Sequence, residues 1–436
     1  MSRAEQDHPS QNSMQQTISD LRTHFVVVSM GTAGDMYPFL GVALALQRRG
    51  HAVTFLGPAV HEHYAQGASL PFHALVSREQ YLAAVNDPDL WNPRKGFGVV
   101  WRSMRDGLKH IPDFVTALPK EQRCVLLVHP LALPAAALAR AERPDIRIVG
   151  AYLAPANLRT CHDPLTVGPL RIPHWVPMRL RHWLWSRIDA RILDPVSLPD
   201  LNAARQAKGL PPVAHLIEHM HSVADHSVTL FPSWFAKQQP DWPQPMHGGD
   251  FQLYDPHPEQ PLPEECAQFL SAGDAPVVFT PGTGHRHAAA YFERALQASR
   301  RLGRRAIFLT MHREQVPKEL PRTVLWQEYL PFRALLPRVA ALVHHGGIGT
   351  IAEALRAGVP QLVVPIAHDQ FDNGARVQSL GVGTSMPSSR LRAGTLHRAL
   401  GMLLASDSIR AQCRAVAARF AKGNGSDALC NAIESA

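Results

Sequence analysis

The apolar positions of this chain fall in short continuous runs, separated by glycine turns and by stretches with helical spacing. His24 to Met30 (HFVVVSM) is one such run, the pattern of a strand buried on both faces. It enters GTAGDMYP, a glycine turn, and a helical pattern follows from about Phe39 to Arg49, closed by Gly50 and His51. Ala52 to Gly57 reads as the next strand. Further on, Cys124 to His129 and Ile146 to Leu153 read as strands with a helix, Pro134 to Glu142, between them. Phe231 to Pro256 is dense in proline and tryptophan, and little regular structure is expected there. A second series then begins with a strand at Val277 to Thr280 and a turn, PGTGH. A helix at Ala288 to Leu302 and strands at Arg305 to Thr310 and Thr323 to Gln327 follow. Leu391 to Lys422 has helical spacing. Strands alternating with helices predict a parallel, doubly wound sheet. Two such series in 436 residues predict two α/β domains. The expected division is a disordered leader at 1–23, a first domain at 24–235 and a linker at 236–262. A second domain covers 263–425 and a polar tail 426–436.

The second series contains the densest chemistry, ALVHHGGIGTIAEALRAGVPQLVVPIAHDQ at 341–370. Ala341 to Val343 predict a buried strand, Ile351 to Ala357 a helix stopped by Gly358 and Pro360, and Gln361 to Ile366 another strand. Gly346, Gly347 and Gly349 allow a tight turn and a close approach of the backbone to a ligand. The free N–H groups of the helix's first turn carry partial positive charge, which suits a phosphate. His345, Thr350, Glu353, Asp369 and Gln370 all fall at strand ends or on that first turn, the ligand edge of a parallel sheet. Neither GxxxxGK[ST] nor GxGxxG occurs here, so a nucleotide diphosphate would be held by another route. Glycine turns at 31–35, 282–284 and 346–350 border one cleft if the two sheets face each other. Asp35 stands at the first of them. It can cap its helix or serve as a carboxylate at the sheet edge, free to take a proton.

Charge and cysteine content narrow the class. Lys and Arg exceed Asp and Glu by 44 to 36, a net charge of +8. That favours anionic partners such as a nucleotide or an acidic lipid surface. The excess is spread along the chain without a lysine run or a nucleic-acid motif, so no nucleic-acid partner is expected. Five cysteines, none in CxxC spacing, fit a reducing cytoplasm rather than a disulfide scaffold or zinc site. No apolar run reaches the roughly 18–20 residues of a spanning helix, and the first 22 residues lack the apolar core of a signal peptide. A peripheral contact is the remaining membrane option. The stretch LRIPHWVPMRLRHWLWSRIDARIL at 170–193 combines Trp183 and Trp185 with Arg179, Arg181, Arg187 and Arg191, a helix suited to a membrane interface or to packing with its arginines in water. Asp87-Pro88-Asp89 has the form of a DxD metal signature. The central proline and neighbouring Asn86 favour a turn instead, and no metal site is assigned.

At HHGGIGT…E…GVP…P…DQ the chain resembles the family 1 glycosyltransferases, which move a sugar from a nucleotide diphosphate to an acceptor. The opening GTAGDMYPFLGVALALQRRGHAVTF resembles their bacterial branch. The resemblance implies the GT-B fold, two facing Rossmann-like domains with parallel sheets and a cleft between them. It implies a diphosphate-binding histidine at His345 beside Gly346 and Gly347, a phosphate hydroxyl at Thr350 and a ribose carboxylate at Glu353. The sugar-reading pair falls at Asp369 and Gln370, and a further hydroxyl at Thr283. YLPFRALLPR matches a bacterial pattern that begins with a base-stacking tryptophan. Tyr329 holds that position, and Phe332 replaces a glutamine. The aspartate of the GxxGD turn, Asp35, is implied as general base. The donor is then a co-substrate, with no cofactor and no metal. Within the family, DPDLWNPRKGFGVVW, FPSWFAKQQPDWPQP and HDQFDN resemble the rhamnosyltransferases of rhamnolipid synthesis. That implies dTDP-rhamnose and a 3-(3-hydroxyalkanoyloxy)alkanoic acid as substrates. UDP-glucose with a sterol or polyketide is the alternative pair. The same fold also serves non-hydrolysing sugar-nucleotide epimerases and non-catalytic nucleotide-sugar-binding partners.

Overall fold

A computed structural model describes residues 23–163, 166–168, 170–285, 288–421 and 426–436. All but the last residue of the expected leader lies outside them. Two parallel sheets carry the fold. The first holds β1 (His24–Val28), β2 (Ala52–Pro58), β3 (Phe72–Val76), β4 (Cys124–Val128), β5 (Arg147–Tyr152), β6 (His226–Thr229) and β7 (Met246–His247), in the order β3-β2-β1-β4-β5-β6-β7. The second holds β8 (Val277–Thr280), β9 (Ala306–Leu309), β10 (Val324–Gln327), β11 (Ala341–His344), β12 (Gln361–Val363) and β13 (Gly383–Ser385), in the order β10-β9-β8-β11-β12-β13. β1 lies between β2 and β4, with Phe25 beside Val53 and Val125. Its residues Phe25 to Val28 are wholly buried, which is why the run is apolar without alternation.

Each sheet reverses its strand order once, between β1 and β4 and between β8 and β11. Such switch points open a crevice at the strands' C-terminal ends. The turns after β1, β8 and β11 therefore lie at the two crevices, and these are the three glycine turns singled out in the sequence.

The helix after β1, α1 (Ala33–Arg48), begins before Pro38 rather than at the expected Phe39. Thr32 and Asp35 form a reciprocal cap that starts it. Pro38 has no N–H for the Gly34 carbonyl four residues back, so that carbonyl is free to face the second domain.

The expected tail is largely a helix, α5 (Ser426–Glu434). Its apolar side packs on the first domain, where Leu429, Cys430 and Ile433 are buried. Glu434 receives hydrogen bonds from Arg49 Nε and Nη2, both at 2.7 Å, and pairs with His51 at 2.8 Å. The chain thus returns to the domain in which it started and ties the two together on one side. The proline-rich stretch expected as a linker is also packed: Trp242 is buried, and β7 adds an edge strand beside Ser227 and Val228.

Candidate active site

The three glycine turns meet across the domain boundary. A Cβ placed on Gly284 would lie 3.5 Å from Thr32 Cγ2, and one on Gly349 would lie 3.9 Å from the Gly34 carbonyl oxygen. The helix α3 (Ile348–Ala357), which follows the third turn, therefore points its N-terminus at the N-terminus of α1. First-turn N–H groups of both helices have no intrahelical acceptor, so two partial positive charges face one space. Thr350 is on the first turn of α3, and Thr283 is exposed on the turn after β8.

Asp35 caps its helix, the first of the two roles that the sequence allows. Its Oδ2 accepts hydrogen bonds from Thr32 N at 2.7 Å and Thr32 Oγ1 at 3.0 Å. No hydrogen bond from another residue's side chain or backbone to its Oδ1 is found among the described residues. Burial raises the Asp35 pKa against the opposing effect of the Thr32 bonds.

His345 fits between two glycines. A Cβ at Gly282 (φ +87°) would come within 2.4 Å of His345 Cε1, and one at Gly347 within 2.6 Å of Nε2. Only glycine leaves room for the ring at these positions. Burial, then the nearby His285, pushes the His345 pKa down to about 4, so the imidazole is neutral. Its Nδ1 is buried with no hydrogen-bond partner among the described residues. A buried polar atom left in this way is completed by a ligand or water.

Asp369 comes from the second domain, at the N-cap of α4 (Gln370–Ser379). Asn373 Nδ2 donates to Asp369 Oδ2 at 2.8 Å and to the Gly346 carbonyl at 3.0 Å, linking the glycine turn to the acidic one. Burial and then the charge of Asp35 push the Asp369 pKa up to about 7. Two carboxylates from opposite domains therefore share one space, where like charges resist joint ionisation. Gln370 is buried, and its Oε1 accepts from Ile366 N at 2.8 Å and Ala367 N at 3.1 Å. Its carbonyl is thus committed to its own loop, and only its amide N–H groups remain for a ligand.

Tyr329 and Glu353 form a separate end of the cleft. Tyr329 is 48% exposed, with Glu353, Tyr64 of the first domain and Asp255 close enough to act on its hydroxyl. Glu353 accepts from Arg356 Nη2 at 2.7 Å. Phe332 packs on the hydrophobic core, so it does not replace the glutamine's polar contact. A cavity of about 630 Å³ opens at this end, not over Asp35. Gly41, Ala45 and Arg48 line it from the first domain, Tyr254 from the connecting stretch, and Arg333 and Glu353 from the second domain.

Asp87 and Asp89 are both engaged in local structure. Asp87 Oδ1 accepts from Asp89 N at 2.9 Å, and Asp89 pairs with Lys95 at 3.1 Å. The turn they build carries Trp91 into the cleft, a placement not anticipated from the sequence. Asn373 was also missed, although its spacing of four from Asp369 puts the two on one helix face.

The fold is GT-B, two domains with parallel sheets whose glycine turns meet at the domain boundary. Residues 25–115 match the glycosyltransferase family 28 N-terminal domain, and 301–429 the C-terminal domain of the erythromycin biosynthesis protein CIII-like family. Together these matches span just over half of the chain. The chain is 27% identical over 433 residues to O-mycaminosyltylonolide 6-deoxyallosyltransferase of Streptomyces fradiae, covering 94% of this chain and 96% of that one. Among solved structures, the kitacinnamycin glycotransferase is similar with a TM-score of 0.69 at 19% identity, over 95% of this chain and 99% of that one. A spinosyn rhamnosyltransferase complexed with thymidine diphosphate gives 0.62 at 19% identity, over 93% and 98%. The chain has the GT-B fold and is similar to glycosyltransferases along nearly its whole length.

Proposed function

We propose that this protein is an inverting glycosyltransferase that moves a deoxyhexose from a nucleoside diphosphate to a hydroxyl of a hydrophobic acceptor. One observation carries the reading: the N-termini of α1 and α3 meet across the domain boundary, with Asp35 at one of them and Asp369 of the other domain within reach of its charge. In this reading the diphosphate rests on His345, Thr350, Thr283, the turn Gly346–Gly347 and the α3 N-terminus. These are fixed donors aimed at the charge that develops on the leaving group. No metal or cofactor is assigned a role. Tyr329 stacks on the base and Glu353 takes the ribose. Asp35 Oδ1 accepts the acceptor's hydroxyl proton as the oxygen attacks the anomeric carbon and the bond to the diphosphate breaks. Displacement in one step inverts the anomeric centre. Asp369, whose pKa burial and then the charge of Asp35 raise to about 7, can donate to a sugar hydroxyl in its protonated form.

The favoured pair is dTDP-L-rhamnose and a 3-(3-hydroxyalkanoyloxy)alkanoic acid. The thymidine diphosphate in the spinosyn enzyme and the deoxysugar in the name of the tylosin-type relative support the donor. A polyketide acceptor is the second reading, in line with the match to the erythromycin biosynthesis protein CIII-like family. Incubating the purified protein with a donor panel and each acceptor, and reading products by mass, tests both. Addition of a deoxyhexose to the hydroxy-fatty ester is expected. Addition of a hexose to a polyketide instead would replace the pair.

A lipid-like acceptor also gives the helix α2 (Met178–Ile188) a role. Its two faces differ. Arg181 is buried and donates to the carbonyls of Cys161, Val176, Pro173 and His174. Trp185 donates to the Thr160 carbonyl at 3.1 Å. Arg181 and Trp185 therefore do not belong to the basic, aromatic surface expected of them. Trp175 and Trp183 remain outside, 82% and 53% exposed, next to exposed Arg179, Arg187 and Arg191. We expect this surface to bind anionic lipid. Reversing Arg179, Arg187 and Arg191 to Glu should abolish pelleting with phosphatidylglycerol vesicles, at about 1 kcal/mol for each charge near the surface. Unchanged pelleting would remove the membrane from the account. No helix among the described residues is long and apolar enough to cross a membrane.

A further inference from the structure

The turn Pro88–Trp91 reaches from the first domain into the donor half of the cleft. It is braced from its own side: Asp87 caps it, Lys95 pairs with Asp89, and Arg102 lies 3.7 Å from Asp87. Gly96 lets the backbone close under it, since a Cβ there would come within 2.3 Å of the Leu90 carbonyl oxygen. The Trp91 ring meets second-domain residues. It stands edge-on to His285 at 5.4 Å and to His368 at 5.7 Å. Its Cζ2 and Cη2 lie 3.6 and 3.8 Å from where a Gly284 Cβ would be. Trp91 therefore stands between the turn assigned to the diphosphate and the pair assigned to the sugar.

His368 immediately precedes that pair. Its φ of +55° is in the left-handed region, disfavoured for any residue with a Cβ. Such a conformation persists only where surrounding contacts hold it. Here they come from the opposite domain. The ring hydrogen-bonds to the backbone of Leu90, with Trp91 against its edge, while its outer side stays exposed. The same loop is held inside its own domain by Gln370.

We infer that Trp91 and His368 are positioning residues: their contact across the cleft sets Asp369 and Gln370 against the donor's sugar when the domains are closed. The inference rests on the glycosyltransferase reading and deepens it. The contact acts on the sugar end of the donor, so its loss reduces transfer without loosening the nucleoside diphosphate.

The test uses His368→Gly, Trp91→Ala and Trp91→Phe in the full chain, with transfer rates and dTDP affinity measured separately. Glycine adopts φ +55° without strain, so His368→Gly removes the contact and should not lower the melting temperature. Expected is a fall in kcat of roughly tenfold to a hundredfold for His368→Gly and Trp91→Ala, the usual effect of misplacing a reacting group. The dTDP affinity should stay within about twofold of wild type. Trp91→Phe should keep most of the rate. Wild-type kcat in His368→Gly, or dTDP affinity falling as far as the rate, would overturn the inference. Intact dTDP binding by wild type with no transfer from any donor would overturn the transferase reading itself, and this inference with it.

Discussion

Asp35→Asn should lower turnover by roughly 10² to 10⁴, the usual worth of a general base, with donor affinity nearly unchanged. The substitution is well suited to separating the two roles of this side chain. An asparagine carbonyl oxygen still accepts from Thr32 N and Oγ1, so the cap on α1 survives. What is lost is the ability to take a proton. The pH profile gives a second readout. Only the ionised carboxylate acts as a base, so kcat/KM falls as pH drops through the Asp35 pKa. Burial raises that pKa, which puts the acid limb above the ordinary aspartate value of 3.8. The limb should vanish in Asp35→Asn. Near wild-type turnover in the variant would take Asp35 out of the role.

His345→Ala should weaken donor binding as well as rate. A hydrogen bond to a charged group contributes about 1.5–3 kcal/mol, or roughly ten- to a hundredfold in donor affinity. The loss in kcat/KM should be larger, because the same donor also meets the charge that develops on the departing diphosphate. The ring's surroundings support this. It is held between Gly282 and Gly347, and its buried Nδ1 has no partner among the described residues. Alanine would leave that space empty without disturbing the turn. Unchanged donor titration would move the diphosphate away from this turn.

Much of the architecture was legible because a central parallel strand must be apolar on both faces. β1, β4, β8 and β11 each contain an uninterrupted apolar run. Two of the edge strands carry no such mark. Phe72–Val76 mixes buried and exposed positions, and Gly383–Ser385 has three residues and no large apolar one, so neither was anticipated. Pro38 concealed the start of α1, since a proline argues against helix unless the cap at Thr32 and Asp35 is recognised. The helix at 426–434 was read as a polar tail. Its buried face is only Leu429, Cys430 and Ile433, and its partner is a domain hundreds of positions earlier.

The site divides in the same way. Residues 345–353 and 369–370 follow one another on a strand, a turn and a helix, and such local order can be read from spacing. The pairing of Asp35 with Asp369 needs both domains folded and facing. So does the contact of Trp91 with His368, where a turn expected only to change the chain's direction delivers an indole to the other domain. The commitment of the Gln370 carbonyl to Ile366 and Ala367 was likewise invisible, since it depends on how the loop closes.

If the two halves of this cleft together transfer a sugar, the nucleoside diphosphate leaves only when an acceptor takes that sugar. The most direct measurement is release of nucleoside diphosphate from a dTDP-deoxyhexose, followed with and without the hydroxy-fatty ester. Release that depends on the acceptor, with a glycosylated product in equal amount, is the predicted result. Conversion of the donor at the same rate without any acceptor, and no glycosylated product when one is supplied, would contradict it.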